Sequence, residues 1–257
     1  MRNNWTREET MLAFELYCTL PKGQDTVHNP RIRELAKVIN RSDNSVKLKL
    51  QNFKSCDPSY TEDGRIGLSN ASKLDWDVCN EFLNDWDSLI VEINDIKSRF
   101  GLPQNVQVDL GENMPPTAKD ITRMQKVRQG QAFFRRALLA SYGSRCCITG
   151  LNNIELLRAS HIKPWAASND KNEKANPQNG LLLNALHDVA FDRGLITIDF
   201  EYKLVVSPLL RKLCEQNETY FWKYDGQKIT KPTRFLPAKE FIEYHNDVIF
   251  KCREVSL

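Results

Sequence analysis

The segment at residues 101–117 limits the fold most, because it contains two glycines and three prolines and shows no sustained hydrophobic period. Such composition is typical of a linker rather than of a helix or strand. We therefore predict a linker over residues 101–118 that separates a domain at 1–100 from a domain at 119–257. A chain of 257 residues is long enough to form two hydrophobic cores.

The first 100 residues have helical periodicity. In the stretch WTREETMLAFELYCTL, Thr6 and Glu9 have the spacing of a capping box, and leucines follow at four-residue intervals. RIRELAKVIN and SVKLKLQNF predict two further helices; the alternation in VKLKL would also suit a strand, but the preceding RSDNS is a helix cap. Residues 73–100 predict a fourth helix that packs on the first three.

After the linker, the pattern becomes mixed. Residues 119–142 predict a basic helix, and the sequence that follows predicts strand, loop, strand and helix, with the helix ended by Gly194. LITID and KLVV then predict a hairpin, followed by helices that begin near residues 207 and 237. The predicted fold class is α+β: an all-α N-terminal domain and a C-terminal ββα domain.

Three polar side chains lie at the ends of the predicted C-terminal elements, and they are His161, Asn179 and His187. Histidine is the side chain whose ordinary pKa lies near neutral pH, so it suits a general base that deprotonates water. Hydrolysis of a phosphodiester also requires a divalent cation or an equivalent group to stabilise the developing charge. The three residues are therefore a candidate hydrolytic site.

The sequence around these residues resembles that of a known family. RQGQAFFRRALLASYGSRCCITG, ASHIKPW, NPQNGLLLNALHDVAFDRG and the tail from YDGQKITKP together resemble the HNH (ββα-metal) endonucleases of the restriction type, over about residues 120–250. The resemblance implies that His161 is the general base and that His187 is at a metal-ligand position. It leaves two roles open for Asn179, metal ligation through its carbonyl oxygen or bracing of the loop that holds His161, and we favour bracing.

One position departs from the family. Many HNH enzymes have an aspartate ligand directly before the first histidine, and this chain has Ser160 there. Serine is a poor ligand, so the resemblance leaves room for Asp188 or Asp192 from the following helix. The implied catalytic residues are His161, Asn179 and His187, and the implied metal ligands are His187, Asn179, Ser160 and Asp192.

Residues 4–54 resemble the Myb/SANT trihelical DNA-binding repeat, through Trp5-Thr6 with its acids, IRELA and RSDNSVK. The third helix of that family enters the major groove. Leu48 and Leu50 depart from the family pattern, and a protein-interaction module is the alternative. Basic residues also accumulate at 22–54 and 119–145, which suits contact with a polyanion. The predicted DNA contacts are Asn44, Lys47, Lys49, Gln51, Arg123, Arg128 and Arg135.

The remaining expectations concern cofactors and partners. The seven cysteines include no CxxC pair, so we expect no structural zinc and a divalent ion, Mg²⁺ first and Mn²⁺ second. We expect a cytoplasmic homodimer that cuts double-stranded DNA in restriction or phage defence, with no membrane segment. The alternatives are a DNA-binding regulator with a degenerate nuclease, and a nuclease for RNA or single strands.

Overall fold

A computed structural model describes residues 4–57, 71–103, 118–169, 171–210 and 214–252, with side chains of the 118–141 helix described from residue 126. The chain divides into two compact units. The helical unit comprises residues 1–141, 169–176 and 233–235, and the mixed unit comprises 142–168, 177–232 and 236–257. The predicted α+β class is confirmed.

The helical unit contains six helices within the described residues. They are α1 (Arg7–Thr19), α2 (Pro30–Val38), α3 (Asp43–Phe53), α4 (Lys73–Asn84), α5 (Trp86–Arg99) and α6 (Ala118–Ser141). Side chains fix the starts of these helices. The Thr6 hydroxyl accepts from the Glu9 backbone N–H while the Glu9 carboxylate accepts from Thr6, so the predicted capping box is present.

The region at 73–100 differs from its prediction, because it forms two helices instead of one. Asp85 adopts a non-helical conformation (φ −155°, ψ 70°) between α4 and α5, and its carboxylate accepts from the Ser88 backbone N–H. Aspartate competes with helical hydrogen bonding in this way, which makes it a good N-cap and a poor interior residue. The apolar spacing alone did not predict an interruption of the helix at this residue.

The core of the helical unit is aromatic. Phe14 of α1 lies 5.1 Å from Phe53 and 4.7 Å from Phe82 between ring centroids, and Trp86 lies 5.4 Å from Phe82. Phe133 of α6 packs 5.6 Å from Trp86. Burial of such rings contributes most to the stability of a domain of this size.

α6 belongs to the helical unit, because its Phe133 and Ala137 are part of the core of that unit. The predicted boundaries had placed this helix in the C-terminal domain. The predicted helix at 119–142 is present as α6, and its Phe134 and Leu138 are buried. The predicted linker at 101–118 falls mostly on residues 104–117, which lie outside the described residues.

The mixed unit is built on a hairpin and a helix. Its elements are β1 (Leu157–His161), β2 (Gly180–Asn184), α7 (Ala185–Asp192), β3 (Ile196–Ile198), β4 (Leu204–Val206), α8 (Glu215–Tyr220) and α9 (Lys239–Tyr244). The strands β1 and β2 pair antiparallel with Leu157 opposite Asn184, and β3 pairs antiparallel with β4. The predicted strand–loop–strand–helix order and the LITID/KLVV hairpin are thus confirmed. The last two helices begin later than predicted, at residues 215 and 239.

A buried histidine ties the C-terminal helix to this unit. The His245 ring stacks on Phe191 of α7 at 3.8 Å between centroids, and its nitrogens lie 2.8 Å from the Thr197 hydroxyl and 3.1 Å from the Phe191 carbonyl oxygen. Gly194, which ends α7 with φ +68°, leaves no room for a Cβ, because that atom would lie 2.0 Å from the Ile249 carbonyl oxygen. Within the described residues, no helix has the length and apolar character needed to cross a membrane.

Candidate active site

His161 is the last residue of β1 and lies opposite Gly180, the first residue of β2. The segment that connects the two strands follows His161 directly, so the imidazole is at the loop end of the hairpin. The ring is partly exposed and meets the edge of Trp165 at 5.4 Å between centroids and 84° between planes. A histidine in this position combines a fixed ring with access to solvent, which a general base requires.

Asn179 braces the loop that follows His161. Its Oδ1 accepts from the Lys163 backbone N–H at 2.8 Å, and its Nδ2 donates to the Lys163 carbonyl and to the Ser168 hydroxyl, both at 3.2 Å. The Ile162 N–H also donates to the Asn179 carbonyl oxygen at 2.9 Å. The amide is fully buried and occupied at both ends, so the geometry favours the bracing role over metal ligation.

His187 is buried in the first turn of α7. Its Nδ1 lies 3.0 Å from the Asn184 Oδ1, and its Nε2 lies 2.9 Å from the Tyr220 carbonyl oxygen. A neutral imidazole has one N–H and one lone pair, so only one of these contacts can be a hydrogen bond. Histidines that ligate a metal usually donate their other N–H to a carbonyl oxygen, and the metal-ligand role of His187 stays a prediction.

Burial around His187 lowers its pKa, and the Tyr220 carbonyl only partly opposes this shift. The ring also contacts Phe221 at 5.3 Å and Tyr224 at 5.9 Å between centroids. Sequence reasoning assigned no role to Asn184, which caps α7 by accepting from the His187 backbone N–H at 3.0 Å. An asparagine directly before a predicted helix is the signal that indicates such a cap.

Three oxygen-bearing side chains lie together where α7 packs on β1. Ser160, the predicted ligand next to His161, is buried. Burial raises the pKa of Asp188, and the Ser160 hydroxyl and Arg158 oppose this shift. Partial desolvation and the nearby Asp188 carboxylate raise the pKa of Asp192 to about 6. In the described part of the chain, no three His, Cys, Asp or Glu side chains form a group suited to a metal ion.

The predicted DNA contacts on α3 separate into exposed and buried residues. Asn44 is exposed, and Lys47 and Gln51 are partly exposed. Lys49 is buried, and its Nζ forms an ion pair with the fully buried Asp75 of α4. Lys49 is therefore corrected from a DNA contact to a structural residue, because a cation so paired and enclosed cannot reach a phosphate.

The basic face predicted on α6 is only partly described. Arg128 and Arg135 are half-buried, and the side chain of Arg123 lies outside the described residues. Arg136 is bonded to the buried Glu15 of α1 at 2.9 Å. At least one charge of this basic segment thus serves the core of the helical unit.

Residues 146–199 match the family model described as HNH endonuclease. These residues form an HNH endonuclease domain. The match contains His161, Asn179 and His187, and it indicates a nuclease that acts on nucleic acid. It does not extend to residues 4–54, so the Myb/SANT resemblance stays a prediction. No curated protein matches the chain.

Proposed function

We propose that the protein is a metal-dependent endonuclease for double-stranded DNA. The observation that carries the proposal is His161, which is at the loop end of β1 in the HNH domain and next to a loop that Asn179 braces. The proposed setting is restriction or phage defence in the cytoplasm. The proposed active form is a homodimer, because one ββα site cuts one strand and two sites are needed to cut both strands in one encounter.

The proposed chemistry assigns one step to His161. The neutral imidazole accepts a proton from water as the water oxygen forms a bond to phosphorus. The bond from phosphorus to the sugar oxygen breaks, and that oxygen leaves with the bonding pair and takes a proton from solvent. Asn179 does not touch the reacting atoms in this scheme. It positions the 162–168 backbone and, through it, the ring of His161. The edge contact from Trp165 limits rotation of the same ring.

A divalent cation would act as a Lewis acid that stabilises charge on the phosphate. Asn179 does not fit this ion, since its Oδ1 already accepts from the Lys163 backbone N–H. His187 would hold the ion through one ring nitrogen while the other donates to a carbonyl oxygen. The carboxylates of Asp188 and Asp192 would also suit it, because Mg²⁺ and Mn²⁺ prefer carboxylate oxygens.

The helical unit is the proposed DNA-binding part. Its three-helix arrangement of α1, α2 and α3 supports the Myb/SANT resemblance, and Asn44, Lys47 and Gln51 are open to solvent on α3. These side chains can contact base edges or phosphates of a duplex.

The activity is tested with the full chain and four substrates: supercoiled plasmid, linear duplex, single-stranded DNA and RNA. Each is incubated with Mg²⁺, with Mn²⁺ and with EDTA. The proposal predicts nicked or linear plasmid with a divalent ion and none with EDTA. Cleavage that persists in EDTA would contradict metal dependence. Cleavage of RNA or single strands alone would favour the second nuclease class, and uncut substrates with every ion would favour a DNA-binding regulator.

DNA binding is tested by salt dependence. Lys47→Ala should weaken affinity and reduce the slope of log K against log salt by about one for the lost phosphate contact. Lys22→Ala, an exposed lysine before α2, is the matched control. Equal slopes for Lys47→Ala and the wild type would move the DNA contacts away from α3.

A further inference from the structure

Lys163 lies two residues after His161, in the loop that Asn179 braces. The Ile162 N–H donates to the Asn179 carbonyl oxygen at 2.9 Å, so the pairing of the two chain segments continues past His161. Burial alternates along the same stretch, because Ser160 and Ile162 are buried while His161 and Lys163 are partly exposed. Side chains two residues apart on a paired segment lie on one face. The imidazole and the lysine side chain therefore share the solvent side of this segment.

The backbone of Lys163 is held on both sides of its Cα. Its N–H donates to the Asn179 Oδ1 at 2.8 Å, and its carbonyl oxygen accepts from the Asn179 Nδ2 at 3.2 Å. The Ser168 hydroxyl also donates to this carbonyl oxygen, at 3.1 Å. Ordering a lysine on binding costs conformational entropy, and a backbone that is already fixed reduces that cost.

The side chain of Lys163 is held by a ring of α9. Its Nζ lies 5.3 Å from the centroid of the Tyr244 ring, which is within the range of a cation–π contact. Both ends of α9 are attached near the hairpin. The Ala238 N–H donates to the Gln178 carbonyl oxygen at 3.1 Å, and His245, the residue after Tyr244, is anchored on α7. The position of the Tyr244 ring is therefore set by the fold.

A phosphate is the partner that suits this lysine. The ammonium group is a compact positive charge with three N–H donors, so contact with the face of a ring is compatible with a bond to a phosphate oxygen. Hydrolysis of a phosphodiester increases the negative charge on the non-bridging oxygens of the attacked phosphate. A fixed cation on the same side of the chain as the general base can stabilise that charge.

We infer that Lys163 is a further catalytic residue, an inference that rests on the proposed nuclease function. Its ammonium group donates to a non-bridging oxygen of the phosphate that is attacked by the water activated by His161. Tyr244 is a positioning residue that keeps the ammonium group on the side of His161. The family match ends at residue 199, so this contribution of α9 lies outside the matched residues.

The role is tested with the full chain by single-turnover cleavage of supercoiled plasmid with Mg²⁺ or Mn²⁺. Lys163→Met removes the charge and should lower the rate about 10- to 100-fold, as expected for the loss of a hydrogen bond to a charged group. Lys163→Arg keeps the charge and should retain most of the rate. Tyr244→Phe keeps the ring and should cut like the wild type, whereas Tyr244→Leu should cut at a rate between those of the wild type and Lys163→Met.

Lys231 provides the matched control. Its Nζ lies 4.8 Å from the centroid of the Tyr202 ring, in the same unit. Lys231→Met therefore removes an equivalent cation–π contact, and it should cut like the wild type. Thermal unfolding of the two methionine variants measures what each contact adds to stability. A wild-type rate for Lys163→Met would overturn the inference, and so would equal losses of rate in the two methionine variants.

Binding of duplex DNA distinguishes a failure of this role from a failure of the proposed function. Lys163→Met should reduce the slope of log K against log salt by about one, for one lost phosphate contact. A reduced slope in a protein that cuts no nucleic acid would support the phosphate contact and remove the nuclease function. An unchanged slope in a variant that still cuts plasmid at the wild-type rate would overturn the role of Lys163 and leave the nuclease proposal intact.

Discussion

The helical unit and the mixed unit treat buried polar groups differently. In the helical unit the buried groups are charged and paired, as Glu15 is with Lys97 at 3.0 Å and with Arg136 at 2.9 Å. In the mixed unit the buried histidines, His187 and His245, face carbonyl and hydroxyl oxygens. Asp188 and Asp192 of this unit have raised pKa values, because desolvation is larger than the attraction of Arg158 and Arg193.

This difference separates structural charges from functional ones. Burial alone would raise the pKa of Glu15, but Lys97 and Arg136 lower it to about 2, so the carboxylate stays ionised at neutral pH. For Asp192, Arg193 only partly opposes desolvation and the Asp188 carboxylate, so the pKa rises to about 6. A charge that the fold neutralises holds helices together, whereas one that it leaves uncompensated is available to a ligand.

The largest effect is expected for the buried pair of Lys49 and Asp75. Asp75→Asn keeps the hydrogen-bonding shape of the side chain but leaves the Lys49 charge unpaired, so the free energy of unfolding should fall by about 3–5 kcal/mol. Glu81→Gln breaks the exposed pair with Arg7 and should cost less than about 1 kcal/mol. Denaturant unfolding measures both, and equal losses would show that burial does not distinguish the pairs.

In the mixed unit, close backbone packing should matter more than charge. Gly194→Ala places a Cβ against the Ile249 carbonyl and adds strain at positive φ, for a loss of about 2–4 kcal/mol. Gly150→Ala is the matched control: it has φ +74° with nothing within 4 Å of the added Cβ, and should cost about 1 kcal/mol. Thermal unfolding compares the two variants, and similar midpoints would contradict the described packing of residues 249–250.

Acid should weaken the mixed unit before the helical unit. Burial lowers the pKa of His245 from 6.5 to about 4, so its unfolded form binds a proton first and stability falls as the pH drops from 6.5 to 4. The loss is about 3 kcal/mol by pH 4. Glu15, with its pKa of about 2, loses its contribution only between pH 4.5 and 2.

The raised pKa of Asp192 acts in the opposite direction to His245, so wild type alone does not isolate either group. His245→Gln removes the contribution of the histidine to the pH dependence of stability. Its stability should be lower than that of the wild type at pH 7 and should fall less between pH 6.5 and 4 in calorimetry. Parallel pH profiles for the two proteins would mean that His245 is not the buried neutral base described here.

Much of the architecture could be predicted from local signals. The Thr6–Glu9 spacing predicted the helix cap, and the short apolar runs around 157–161 and 180–184 predicted the hairpin. Gly194 predicted the end of α7. These features depend on residues close together in sequence, where propensity and capping act. The bracing role of Asn179 followed from the family resemblance and agrees with its hydrogen bonds.

Long-range partners could not be predicted in this way. Lys49 belongs to an alternating, basic stretch that gives no sign of burial. Its buried partner, Asp75, is 26 residues away in the sequence. The ring of His187 is turned by the Tyr220 carbonyl, which is 33 residues away. A side chain's partner across the fold decides whether it is structural or functional, and a single sequence does not contain that pairing.

The general-base role of His161 is tested most directly by the cleavage rate of His161→Ala on plasmid DNA, with binding measured in parallel. The account predicts a loss of about 10²- to 10⁴-fold in rate with nearly unchanged DNA affinity. His28→Ala, an exposed histidine of the helical unit, should cut like the wild type. Cleavage by His161→Ala within about tenfold of the wild-type rate would contradict the account.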